Sequence, residues 1–133
     1  MAAESWRVLL VESVREAGAA LAGGFKSVRN PEFHVSHVRG LGEAVASIDR
    51  QAPDAVILNP KLPDAKGFEA LEKIRGLLPK TPIIILADDK DDAMAVQAVQ
   101  LGAEDFLRSE TIELRRLVKA VTLAIARTRR PTQ

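Results

Sequence analysis

Three short stretches of this chain contain no polar residue: Val8-Leu9-Leu10-Val11, Ala55-Val56-Ile57-Leu58 and Ile83-Ile84-Ile85-Leu86. They are too short for ordinary helices, and a strand with one wet face alternates apolar with polar positions. Uninterrupted apolar runs of this length suit strands covered on both faces, as in a parallel sheet between two layers of helix.

The intervening sequence supplies those helices. An alanine-rich stretch after Ser13 reads as a helix to about Lys26, although Gly18, Gly23 and Gly24 weaken it. Asn30-Pro31 marks a loop, and Phe33 to Val38 alternates as a strand with one exposed side. Leu41, Ala44, Val45 and Ile48 share one helix face. Gly67 to about Leu78 reads as a helix with Phe68, Leu71 and Ile74 inward; Pro79 and Pro82 bracket the turn that follows. The β-branched run from Ile83 to Leu86 is then a central strand. Asp91 to Leu101 is helical, with Ala95, Ala98, Val99 and Gly102 on its inner side and Gly102 placed to end it. Asp105-Phe106-Leu107 is a short last strand. Thr111 to about Thr128 is the longest helix, with a buried stripe of Leu114, Leu117, Val118, Val121 and Ile125.

Strand and helix alternate five times, a (βα)5 order that right-handed crossovers wind into a doubly wound, three-layer α/β domain. In such sheets the functional site lies outside the carboxyl ends of the strands. Those ends carry Glu12-Ser13, Asn59, Ala87-Asp88 and Arg108-Ser109.

At 133 residues the chain fits one domain, 1–133, with a core over about 7–127. The apolar fraction of 47% suits a globular core, and a net charge of +1 argues against a general nucleic-acid binder. Absence of cysteine excludes disulfides and thiolate metal sites. No apolar run approaches the ~20 residues that cross a membrane, and the N-terminus lacks a signal-peptide pattern, so the expected location is cytoplasmic.

Asn59 stands in the segment Pro53-Asp54-Ala55-Val56-Ile57-Leu58-Asn59-Pro60-Lys61-Leu62-Pro63-Asp64-Ala65-Lys66-Gly67. With Arg7-Val8-Leu9-Leu10-Val11-Glu12, Thr81-Pro82-Ile83-Ile84-Ile85-Leu86 and Gly102-Ala103-Glu104-Asp105-Phe106-Leu107, this resembles the receiver domain family of two-component response regulators. The resemblance runs from Arg7 to about Arg127 and implies a flavodoxin-like sheet in strand order 2-1-3-4-5. It also implies a site. Such receivers hold magnesium with two adjacent acids after the first strand and with an aspartate after the third, which accepts the phosphoryl group. A hydroxyl residue after the fourth strand and a lysine after the fifth bind the phosphoryl oxygens.

Here Glu12 keeps one acid, Ser13 stands at the second, Asn59 at the acceptor, Ala87 at the hydroxyl residue and Ser109 at the lysine. Asp88 adjoins this pocket, and Phe106 occupies the switch aromatic position. A neutral amide has no ionised oxygen to attack phosphorus, and one carboxylate is a poor magnesium site. The resemblance therefore implies a degenerate pseudo-receiver: no catalytic residue, no metal ligand set, no cofactor, magnesium binding weak or absent, and no enzyme activity. Removing two clustered acids also favours one rigid conformation over a switch.

The expected partner is a protein: a histidine kinase, another regulator or a linked output domain, through the face of the fourth helix, fifth strand and fifth helix, or a second copy of the chain. The alternatives are a conventional magnesium-dependent phosphoacceptor receiver and a small-ligand sensor using the vestigial acidic pocket. Leu62-Pro63-Asp64 through Ala70 and Leu107 to Glu110 look like receivers attached to sensory kinases or cyclic-nucleotide signalling enzymes.

Other features read more plainly. Asp88-Asp89-Lys90-Asp91-Asp92 is a solvated loop entering a helix N-terminus rather than a cation site. His34 and His37 fall on opposite strand faces, which is wrong for a metal pair. Lys61 and Lys66 are surface lysines, with a reach toward Glu12 as the alternative. Arg127, Arg129 and Arg130 suit a helix C-terminus and are a small footprint for nucleic acid, and Trp6, before the first strand, seals the lower end of the sheet.

Overall fold

The apolar runs become the middle of one sheet. The computed structural model describes residues 4–88 and 92–129. Its strands are β1 (Ser5–Val11), β2 (Glu32–Val38), β3 (Ala55–Leu58), β4 (Ile83–Ala87) and β5 (Asp105–Arg108), all parallel in the order β2-β1-β3-β4-β5. The helices α1 (Arg15–Lys26), α2 (Leu41–Arg50), α3 (Glu69–Leu77) and α4 (Asp92–Gln100) are the crossovers, and α5 (Leu114–Thr128) follows the last strand. This is the flavodoxin-like fold. Among the described residues no helix is long and apolar enough to cross a membrane.

The period of two along each strand divides the core into two layers. Leu9, Val11, Val56, Leu58, Ile83 and Ile85 meet Leu71 and Ile74 of α3 and Ala98 of α4. Their alternates Val8, Leu10, Ile57, Ile84 and Leu86 meet Phe25 of α1 and Leu117, Val121 and Ile125 of α5. The edge strand β2 adds Phe33, whose ring stands edge-on to Phe25 with centroids 5.1 Å apart. This two-sided burial is what the unbroken apolar runs require.

The helix faces differ from the sequence reading in two places. On α4, Met94, Ala98 and Leu101 pack on the core, whereas Val99 is 53% exposed and Gly102 lies at the surface. The i, i+4, i+7 row that carries Met94 and Leu101 wins, because these longer side chains bury more apolar area than the expected row of Ala95, Ala98, Val99 and Gly102. Helix α5 begins at Leu114, not Thr111, and Leu114 is 38% exposed. Residues 111 and 112 instead make turn bonds from their N–H groups to the Arg108 carbonyl. Leu114 sits in the first turn, where the helix has yet to reach the sheet, and its side chain lies over Gly24 of α1.

Trp6 belongs to β1 rather than preceding it and packs on the α1–α5 layer, with Arg129 stacked 4.9 Å from its ring centroid. Arg129 also pairs with Asp54, whose other oxygen accepts the Arg7 N–H at 2.7 Å. Arg127 pairs with Glu104 at 3.0 Å. Both arginines thus tie the end of α5 to the lower side of the sheet; Arg130 lies outside the described residues.

Gly102 does end α4. Its φ of +105° is a left-handed conformation, and Gly102 N–H→Val99 and Ala103 N–H→Ala98 bonds close the last turn. The Arg75 guanidinium locks this corner by donating to the carbonyls of Leu78, Thr81 and Gly102. Burial pulls Arg75 below the ordinary arginine value, and Glu104 partly opposes this. A methyl group on Gly102 would lie 2.9 Å from Arg75 Nε. Gly102→Ala should therefore lower unfolding stability by about 1–2 kcal/mol through the backbone conformation alone, read as a lower urea midpoint with unchanged slope.

Candidate functional site

Neighbouring parallel strands end side by side, so residues distant in sequence meet where the strands stop. The Asn59 N–H continues the ladder past β3 by donating to the Val11 carbonyl at 2.9 Å. That places Asn59 against Glu12, the residue after β1. The Asn59 side-chain amide donates to one Glu12 oxygen at 3.0 Å, and the Val14 N–H donates to the other at 2.9 Å. The Asn59 carbonyl oxygen accepts the Lys61 N–H at 3.1 Å. Each polar atom of the pair is thereby engaged, and Glu12 is 6% exposed.

The second half of the site comes from β4 and β5. The Ser109 N–H extends their ladder to the Ala87 carbonyl, and its hydroxyl donates to the Asp88 carboxylate. Glu12, Asn59, Asp88 and Ser109 all line one cleft of about 420 Å³ between the strand ends, α1 and α5. Ser13 and Ala87 do not join them. The Ser13 hydroxyl turns to the Lys61 carbonyl at 3.3 Å, and Ala87 is buried in the α3–α4 layer. Phe106 is half-buried in that same layer, level with Ile85.

Neither Lys61 nor Lys66 pairs with Glu12. The backbone N–H of Lys66 instead donates to the Glu69 carboxylate at 2.5 Å and starts α3. Asp89, Lys90 and Asp91 lie outside the described residues. Among the described residues no group of three His, Cys, Asp or Glu side chains is placed to hold a metal ion.

Several participants escaped sequence reading. Asp64 reaches from the loop after β3 to the start of α2, where its carboxylate accepts the Leu41 and Gly42 N–H groups at 2.8 and 3.0 Å. These helix-terminal donors, Gly42 first, hold Asp64 below its ordinary value. The cap is supplied from another element; the helix's own preceding residue, Gly40, has no side chain to do it. His37 lies on the face of β2 opposite His34. Its Nε2 is 2.9 Å from the Glu12 carbonyl oxygen, and the ring fills the space that Gly18 leaves on α1. Arg39 Nε donates to the Ser13 carbonyl at 2.9 Å. A glycine within a helix opposite a histidine was the available signal for His37; no local pattern announced Asp64.

Comparisons with known proteins bear on the family and the fold. Residues 8–122 match the family described as Response regulator receiver domain. The regulatory protein LuxO of Vibrio cholerae is 32% identical over 93 residues, which are 69% of this chain and 20% of that protein. The chain thus matches about a fifth of the length of that relative. The chemotaxis protein CheY of Thermotoga maritima is 27% identical over 101 residues, 76% of this chain and 73% of CheY. The crystal structure of the signal receiver domain of a putative LuxO repressor protein from Vibrio parahaemolyticus superposes with a TM-score of 0.83 at 33% identity, covering 93% of this chain and 92% of that one.

Two outcomes follow from the hydrogen bonding. Asp64 has a folded value below its ordinary 3.8, so its stabilising contribution is complete above the unfolded value and is lost as pH falls through the folded value. Urea midpoints of the wild type should exceed those of Asp64→Ala at neutral pH, and the gap should close at the acid end of the titration. Asn59→Asp sets two carboxylates against each other in place of a 3.0 Å hydrogen bond. It should cost about 1–3 kcal/mol at neutral pH and less in acid, where one carboxyl takes up a proton; equilibrium denaturation at both pH values reads this.

Proposed function

Because the chain belongs to the response regulator receiver domain family, we propose that it is a receiver of two-component signalling that works without aspartyl phosphorylation, by contact with another protein. The observation that carries this reading is the Asn59 side chain donating its amide proton to Glu12. An acceptor must present an anionic oxygen at the end of β3; this residue presents an N–H to its neighbour and commits its oxygen to Lys61.

The fold family implies a magnesium ion, and the donor set does not fit one. Magnesium wants hard oxygen ligands in near-octahedral array, with one or two carboxylates. At the ligand positions only Glu12 keeps a carboxylate, Asn59 turns an N–H rather than an oxygen toward it, and the Ser13 hydroxyl faces away to Lys61. With Ala87 in the core and Ser109 bonded to Asp88, no lysine and no free hydroxyl among the described residues line the cleft to hold a phosphoryl group. No catalysed reaction is assigned to the chain.

Contact is then the remaining means of signalling. The α4–β5–α5 face, from about residue 91 to 127, carries the exposed apolar side chains Val96 and Val99 on α4 and Leu123 on α5. It suits a histidine kinase, another regulator, an output domain linked to this chain or a second copy. A cytoplasmic setting agrees with this role.

Amide NMR of the protein titrated with magnesium and beryllofluoride, a phosphoryl mimic, tests the reading. Resonances of Glu12, Ser13, Asn59, Ala87, Asp88 and Ser109 should stay in place. Saturable shifts at those residues that spread to Phe106 and α4 would overturn it.

A further inference from the structure

Glu12 is the one buried charged residue among the described residues, and none of their cationic side chains pairs with it. Its carboxylate rests on two neutral donors. An ionised group taken out of water is costly unless an opposite charge compensates it. In the same cleft the Asp88 carboxylate accepts the Ser109 hydroxyl. Two negative groups therefore share a floor lined by neutral Asn59 and Ser109.

The walls are of the opposite character. Leu21 from α1, Leu86 from β4, and Leu114 and Leu117 from α5 enclose the space above that floor. Its volume of about 420 Å³ lies in the range of roughly 300–1,000 Å³ typical of small-molecule sites, and an apolar cavity with a few convergent polar groups is their usual construction. Val14 and Leu114, 51% and 38% exposed, are part of the lining and would be covered by an occupant. A hydrated metal ion makes no use of such walls, and an anion would be repelled by the floor.

We propose that this cleft binds a small organic ammonium ion, with its charged head at Glu12 and Asp88 and its apolar body against the leucines of α1 and α5. The ammonium hydrogens supply the missing positive charge, and the hydrocarbon removes the leucine walls from water. The site goes beyond the signalling reading. It lies between α1 and α5, away from the exposed valines of α4, so a ligand there can be bound while a protein partner holds the α4 side.

Benzylammonium is the probe. Titrated into the full chain, it should give saturable amide shifts at Glu12, Val14, Asn59, Ser109 and Leu114. Benzyl alcohol, which keeps the ring and drops the charge, and methylammonium, which keeps the charge and drops the ring, should each bind about tenfold or more weakly. Glu12→Gln should weaken benzylammonium about tenfold or more. Because that change touches a buried group, Ala20→Leu, on the exposed rim of the cleft, is the second variant. It should weaken binding to a similar degree while leaving the urea midpoint in place. Absence of saturable shifts at these residues, equal binding of benzyl alcohol, or unchanged affinity in Ala20→Leu would each overturn the proposal. None of these outcomes depends on whether beryllofluoride binds, so the two readings fail separately.

Discussion

Burial of the central strands on both faces is the constraint from which the rest of the structure follows. Val8 to Val11, Ala55 to Leu58 and Ile83 to Ala87 are all buried. Their backbone groups can be satisfied only by one another, since no water reaches them. Parallel pairing with β3 between β1 and β4 does this. It also obliges each of the four connections, α1 to α4, to cross over the sheet, while α5 follows β5 and packs beside α1 on one face.

The same pairing builds the site. Residues 12 and 59 are 47 positions apart and meet because β1 and β3 are neighbours in register, Val11 beside Leu58. Residues 88 and 109 meet because β4 and β5 are neighbours, Ala87 beside Arg108. Each strand end contributes one polar side chain just beyond the last ladder bond. The chemistry available there is set by four or five residue identities, while their convergence is set by the sheet. A fold shared by many receivers therefore holds a site whose side chains donate protons to a carboxylate where an anionic acceptor would stand.

A second group of contacts steadies the loops around this site. Asp64 ties the loop after β3 to the start of α2, Arg39 ties the end of β2 to the turn after β1, and His37 supports the Glu12 backbone from below. Arg75 does the corresponding work on the far side, joining α3, the approach to β4 and the end of α4. All four link segments remote in sequence, and all four act on backbone groups. The loops are held by bonds to the main chain of their neighbours.

The amino-acid sequence by itself determined the number and order of strands and helices, the burial of the three apolar runs, the end of α4 at Gly102, and the identity of the residues at the strand ends. These depend on local periodicity and on backbone preferences of single residues, which are written along the chain. Tertiary structure alone decided which row of α4 faces inward, where α5 begins, that Asp64 caps α2, that His37 fits against Gly18, and that Glu12 pairs with Asn59 while Ser13 turns away. Each of those outcomes is a choice between locally equivalent arrangements, such as two helix faces or two directions for a short polar side chain. Only the atoms brought up from elsewhere in the chain make one of them lower in energy.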